Sequence, residues 1–212
     1  MVQTMIQALQ PTPNNGYSEG AVVIQRKARE RFYSPTWPPC SFYVLLEGRV
    51  SLARLTRDGR RLVTEVLDAG DVFGDLSCSG VGSENEFAEA LTDCRALAVD
   101  SRRAKALIAS EPELAIRFLT AVANRLNGAV DRLEEFAYGP VETSIASAVL
   151  RVAGRTGQAA PVTHQFLADM AGTYRETVTR VLGELDAKDV LRLARCAIEI
   201  RDRQALSAIA VV

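Results

Sequence analysis

The chain is poor in the residues from which enzymes and metal centres are built. One histidine, one tryptophan and four cysteines occur in 212 residues. The cysteines, at 40, 78, 94 and 196, form no C-x-x-C pair. That spacing suggests neither a zinc site nor a disulfide framework and reads as reduced cytosolic thiols. No Ser/His/Asp set, metal-ligand cluster or phosphate-cradling glycine loop is visible, so an enzyme is not expected. No run of about 18 apolar residues exists, and no membrane span is expected. The first ten residues lack a basic start and a long apolar core, so no signal peptide is read. These absences predict a cytoplasmic protein without metal or cofactor. An excess of one charge sign is also missing: the net charge is −1 and the pI is about 6.0. Bulk charge therefore names no partner, and a nucleic-acid binder would need its basic groups placed locally.

What is present changes period once along the chain. Residues 1–20 are polar and punctuated by Pro11, Pro13, Gly16 and Gly20, a loose lead-in. From Ala21 to Val99 apolar residues alternate in short runs with turn signals between them, the pattern of an antiparallel barrel or jelly roll. The clearest hairpin is "VSLARLTRDGRRLVTEVL", where Asp58-Gly59 suits a tight turn. Gly70 and Gly74 suit corners. After Val99, "SRRAKALIAS" reads as a short helix. Pro112 then opens a long one, "PELAIRFLTAVANRLNGAVDRLEEFA", because proline fits the first helical turn. Leu119, Val122, Leu126, Ala129, Leu133 and Phe136 recur at steps of three and four, a heptad seam. Two explanations of that stripe stand: packing on the chain's own barrel, or pairing with a second copy. Gly139 and Pro140 break the helix and mark a hinge. Helices over 141–153, 164–171 and 174–187 and a small hairpin at 190–201 follow. The division is 1–111, a barrel; 112–138, the long helix; and 139–212, a part of short helices with the small hairpin. The fold class is α+β.

The segment "HQFLADMAGTYRETVTRVLGEL" carries the function. Ala168 lies four residues before Gly172, where only a small side chain lets two helices cross closely, and glycine accepts a positive φ at the turn. Val178, Val181, Leu182 and Leu185 form one buried stripe. Arg175, Glu176, Thr179 and Arg180 occupy the opposite face. This is a helix-turn-helix, whose second helix enters a DNA major groove. Arginine can donate twice to guanine, and glutamate can accept from cytosine. A plainer account competes: Thr173 and Glu176 form T-x-x-E, a capping box, and Glu176 and Arg180 are spaced as a surface ion pair. One glutamate can do both, capping the free protein and reading a base in the complex. Local charge agrees in sign only, at +1 for residues 141–212 and −2 for residues 1–140.

These segments resemble the cyclic AMP receptor protein/fumarate-nitrate regulator (CRP/FNR) family of bacterial transcription factors, from about residue 20 to 202. "THQFLADMAGTYRETVTRVLGEL" is similar to the family's DNA-reading segment, and R-E-T-V-x-R is its most specific part. "FYVLLEGRVSLARLTRDGRRLVTEVLDAGDVFGDLS" resembles its barrel, and "LARCAIEI" its wing, with Ala194 where the family usually has glycine. The resemblance implies a homodimer on a two-fold DNA site, its reading helices roughly 34 Å apart. It implies that Arg175, Glu176 and Arg180 read G, C and G. It also implies backbone contacts from Thr163, His164, Thr173, Tyr174, Thr177 and Thr179, although the family usually carries a small residue at Tyr174. Activation through RNA polymerase follows from family frequency alone, and the loop near 154–161 is short.

The resemblance also locates a degenerate effector pocket. Asp75 stands where glutamate meets ribose, and Glu84 and Asn85 stand where arginine and serine meet phosphate. Ala129 and Val130 replace hydroxyls that meet the base. Cyclic AMP is therefore not the expected ligand. The iron-sulfur sensors' N-terminal cysteine cluster is missing before Cys40, and a haem sensor's barrel histidine is missing too. Nothing marks Cys40, Cys78 or Cys94 as a lowered-pKa thiol switch. The leading expectation is a regulator competent without nucleotide. Its alternatives are a regulator gated by another small molecule and a nucleotide-binding module acting on a protein partner.

Overall fold

Short alternating apolar runs can be buried only if sheets stack face to face, and the barrel half is built that way. The computed structural model describes residues 21–37, 39, 41–75, 85–100, 109, 112–154, 162–194 and 197–211. The lead-in 1–20, most of the short helix read at 101–110, and Cys40, Cys78, Glu84 and Cys196 lie outside the described residues. The strands of the first half are β1 (Ala21–Arg26), β2 (Arg31–Tyr33), β3 (Ser41–Glu47), β4 (Val50–Leu55), β5 (Arg61–Leu67), β6 (Val72–Gly74), β7 (Glu86–Ala90) and β8 (Cys94–Asp100). One sheet runs β1-β8-β3-β6 and the other β2-β7-β4-β5. The pairings of β1, β3, β6 and β8 are all antiparallel.

β3 shows how period two organises the core. Tyr43 and Leu45 point into a cluster with Phe32, Leu52, Phe73 and Ala96. Phe42 and Val44 point the other way, into a cluster with Val72, Leu97 and Val99. The first cluster is aromatic at its centre: Phe32 meets Phe73 edge-on at 5.1 Å and Tyr43 stacks on Phe73 at 5.0 Å, geometries that suit ring quadrupoles. The second is covered by Phe118 and Ala121 of the long helix α1 (Pro112–Tyr138), with Phe118 edge-on to Phe42 at 5.8 Å.

That contact argues against the first explanation of the helical stripe, packing on the chain's own barrel. The face of α1 packed on the strands carries Phe118 and Ala121, not the heptad seam. Leu119, Val122, Leu126, Leu133 and Phe136 remain 36–66 % exposed on the single chain, and Ala129 is exposed with them.

The turn between β4 and β5 is longer than the tight hairpin expected. Gly59 alone takes a positive φ, of 79°. Thr56 N–H donates to Arg60 O at 2.8 Å and Gly59 N–H to Thr56 O at 2.9 Å. The Thr56 hydroxyl binds the Asp58 carboxylate, which holds Asp58 out of the left-handed region that a two-residue turn requires. Gly70 and Gly74 take the corner geometry expected, at φ 103° and 90°.

Gly139 N–H closes α1 onto Glu135 O at 3.0 Å, and Pro140, with φ −63°, precedes α2 (Val141–Ala153). Beyond it come α3 (His164–Ala171), α4 (Arg175–Ala187), the antiparallel pair β9 (Leu191–Ala194) and β10 (Ala197–Ile200), and α5 (Arg203–Ile209). The sequence reading missed α5. Its start was legible: the Asp202 carboxylate accepts Ala205 N–H at 2.9 Å, an N-cap. The described chain forms two compact units. One comprises residues of Met1–Ala53 and Leu67–Leu126, the other Arg54–Val66 and Asn127–Val212. The β4–β5 tip thus belongs to the unit that holds α2 to α5. No described helix is long and apolar enough to cross a membrane.

Gly48 has φ +88°, and a Cβ there would strike Asp93 O and lie 2.7 Å from Cys94 Sγ. Gly48→Ala is expected to cost about 2–4 kcal/mol in stability, from left-handed strain plus overpacking. Urea denaturation measures it, and an unchanged midpoint would contradict the packing described.

Candidate nucleic-acid interface

The interface is set by how α4 is held. Thr163 Oγ1 accepts Phe166 N–H at 3.1 Å and caps α3. Gly172 ends α3 in the left-handed region, at φ 61° and ψ 29°, with its N–H on Ala168 O. Thr173 N–H also reaches Ala168 O, at 3.1 Å. Ala168 is buried, as are Val178, Val181, Leu182 and Leu185. The small residue, the turn glycine and the apolar stripe therefore meet as the sequence indicated. With one face of α4 committed inward, Arg175, Glu176, Thr179 and Arg180 are exposed on the other, and Thr177 is half-buried.

The capping-box account does not hold. The N-cap of α4 is Tyr174, and no side chain caps that end. Glu176 falls one position short of the place from which a capping glutamate reaches back. Neither Arg175 nor Glu176 makes a side-chain hydrogen bond or ion pair among the described residues. The Glu176–Arg180 pair is also replaced. Arg180 reaches Glu184 at 2.6 Å and Glu142 of α2 at 3.3 Å, and the hydrogen bond it donates to the Glu184 carboxylate is the first cause of its raised pKa. These partners are about half exposed, so the pairs are weak and release Arg180 at little cost.

His164 does not cap α3, because Thr163 already does. Its Nδ1 lies 2.9 Å from Thr179 Oγ1. The Thr179 hydroxyl donates its one proton to Arg175 O at 2.9 Å, so Nδ1 is the donor in the first bond. The imidazole thereby ties α3 to α4 and leaves Nε2 outside this pair. Tyr174 is 63 % exposed, and the Arg60 guanidinium lies 4.5 Å from its ring centroid. Thr173 is half-buried beside it. Phe136, read only as a seam residue, also reaches this turn: a methyl on Gly172 would touch its ring at 3.4 Å.

In the strand unit, Asp75 is 2 % exposed and its N–H bonds Ser41 O at 3.0 Å. Asn85 is exposed. The residue that turns inward is the next one, Glu86, which the sequence reading missed. Its carboxylate accepts Tyr33 O–H at 2.7 Å and faces Arg125 Nη2 of α1 at 3.4 Å. Both side chains of the ion pair are largely buried, at 13 % and 24 % exposure. Burial first, and then the Glu86 charge, hold the Tyr33 hydroxyl far above its ordinary pKa. The signal for Glu86 was its place at the head of an alternating strand, two residues before buried Ala88. Ala129 and Val130 are exposed on α1. Burial also pushes the Cys94 thiol up, opposite to the shift a reactive thiolate needs. No group of three potential metal ligands occurs among the described residues.

Comparison with known proteins agrees with both halves. The description "Cyclic nucleotide-binding domain" matches residues 17–111, and "Crp-like helix-turn-helix domain" matches residues 144–209. The chain is 31 % identical to the cyclic AMP receptor protein of Thermus thermophilus over 171 residues, 80 % of this chain and 79 % of the other. It is 28 % identical over 178 residues to a CRP-like cAMP-activated global transcriptional regulator of Mycobacterium tuberculosis, 80 % of each. A solved structure of a CRP/FNR-family transcriptional regulator from Thermus thermophilus superposes with a TM-score of 0.76 at 26 % identity, covering 89 % of this chain and 98 % of that one. The buried stripe of α4, the two strand clusters and these matches lead to one assignment: the chain belongs to the CRP/FNR family of transcription regulators.

Proposed function

We propose that this regulator binds a two-fold symmetric DNA site as a homodimer, without cyclic AMP, and activates transcription through RNA polymerase in the cytoplasm. The observation that carries the DNA reading is the exposed pair Arg175 and Glu176 at an uncapped helix start whose opposite face is fully buried. Arg175, Glu176 and Arg180 contact bases. Thr163, His164, Thr173, Tyr174, Thr177 and Thr179 contact the backbone. Residues 1–111 act as a sensor-like part, 112–138 as the pairing helix and 139–212 as the reading part, with Gly139 and Pro140 as hinge.

Pairing is supported by the uncovered seam from Leu119 to Phe136. Water contact over that much leucine, valine and phenylalanine is unfavourable by about 25 cal/mol per Å² of apolar area, and a second copy removes it. Independence from cyclic AMP is supported by the Glu86 carboxylate, which already engages Arg125 and Tyr33. The same pairing commits the Arg125 guanidinium to Glu86 and away from a phosphate. Buried Asp75 adds a second acid in the same unit. The cyclic-AMP activation named for the M. tuberculosis relative favours a gated reading as the runner-up.

Selection of duplex DNA from a random pool by purified protein, with nothing added, tests this function. A two-fold sequence is the expected result, and recovery only after cyclic AMP is added would overturn independence. Arg180→Ala should cost about 1–3 kcal/mol of DNA binding and relax one base position per half-site; equal loss on all sequences, by competition titration, would exclude base reading. Leu126→Asp should convert dimer to monomer in sedimentation and abolish site binding. An intact dimer would remove the seam from the interface.

A further inference from the structure

The tip of the β4–β5 hairpin has no role in the function so far, yet it is a basic stretch close to the start of α4. Residues Arg54–Val66 carry Arg54, Arg57, Arg60 and Arg61 against Asp58 and Glu65. Arg54, Arg57 and Arg60 are exposed. This segment falls in the same compact unit as α3 and α4. Arg61 anchors it there: its guanidinium lies 6.0 Å from the Phe166 ring centroid, and its Nε is 3.9 Å from Asp169 Oδ2. Arg60 then stacks over Tyr174, immediately before α4. Between hairpin and helix lies a cleft of about 750 Å³, lined in part by Thr56, Arg60, Gly172, Tyr174 and Arg175. Its carboxylates include Asp58, Asp169 and Glu176. Asp58 is engaged by the Thr56 hydroxyl, and Asp169 by Gln165 and Arg61.

We propose that this hairpin tip is a second DNA-contact surface, gripping the phosphate backbone beside the groove that α4 enters. The inference rests on the DNA reading of α4. A helix that presents its first turn to base edges places the residue before it at the groove's rim, where the phosphates run. Tyr174 is that residue. A guanidinium stacked on an aromatic ring uses its face, and its N–H edges stay available for bidentate bonds to phosphate oxygens. The exposed Tyr174 acquires a purpose: it is the platform that holds Arg60. Arg57, at the turn, extends the same positive edge. Such contacts carry no sequence information and add affinity to every duplex alike.

The test is fluorescence titration of the full-length protein with its selected duplex and with a scrambled duplex, at several salt concentrations. The variants are R57A/R60A, Arg60→Lys and Tyr174→Ser. R57A/R60A should weaken both duplexes by a similar factor, roughly 10-fold, and lower the salt slope by about one for each phosphate no longer gripped. Arg60→Lys should restore most of the slope. Tyr174→Ser should lower the slope in part, with unchanged thermal unfolding reporting an intact fold. If the wild type binds the selected duplex while R57A/R60A keeps its affinity and slope, the hairpin proposal alone falls. Tighter binding by R57A/R60A would also overturn it, by showing that the hairpin shields α4. A wild type that binds neither duplex removes the DNA reading and this inference together.

Discussion

The close crossing of α3 and α4 is the constraint on which the interface depends. Ala168 and the left-handed Gly172 let the helices approach, and four aliphatic side chains of α4 are withdrawn from water on one face. Burial of each such side chain is worth about 1.5–3 kcal/mol, so the rotation of α4 about its axis is strongly determined. Arg175, Glu176, Thr179 and Arg180 face outward because the opposite side of the helix is committed to the core. Their chemistry then becomes a property of the molecule's surface, presented on a rigid element rather than on a loop.

Charged groups serve two different ends in this chain. Around α4 they are exposed and weakly paired, and the pairs of Arg180 with Glu184 and Glu142 break at small cost. Around Glu86 they are largely buried and mutually satisfied. Removing one member there leaves another uncompensated, which is the costly outcome. The first arrangement suits a surface that must be reused in a complex. The second suits a fixed tie between β7, β2 and α1.

Arginines divide along the same line. Arg125 and Arg151 serve internal pairs, the latter with Glu135 at 3.2 Å. Arg175 and Arg60 lie at the surface, one at the head of α4 and one on Tyr174 beside it. A chain with almost no net charge can bind an anionic polymer because its cations are placed rather than numerous.

Much of this was legible from residue order alone. Alternation announced the strands, and steps of three and four announced the helices. Gly172 and Ala168 announced the tight turn, because these are properties of local backbone geometry and one-dimensional period. The stripe Val178, Val181, Leu182 and Leu185 announced which face of α4 turns inward for the same reason. What required the tertiary structure were relations between distant segments. These include the covering of the strands by Phe118 and Ala121 rather than by the seam, and the pairing of Glu86 with Arg125 across 39 positions. They also include the choice of Glu184 and Glu142 for Arg180, and the stacking of Arg60 on Tyr174. Periodicity states that a helix has two faces, but not which neighbour each one meets. Side-chain partners are chosen by distance and by competition among charges, and only the folded chain sets those distances.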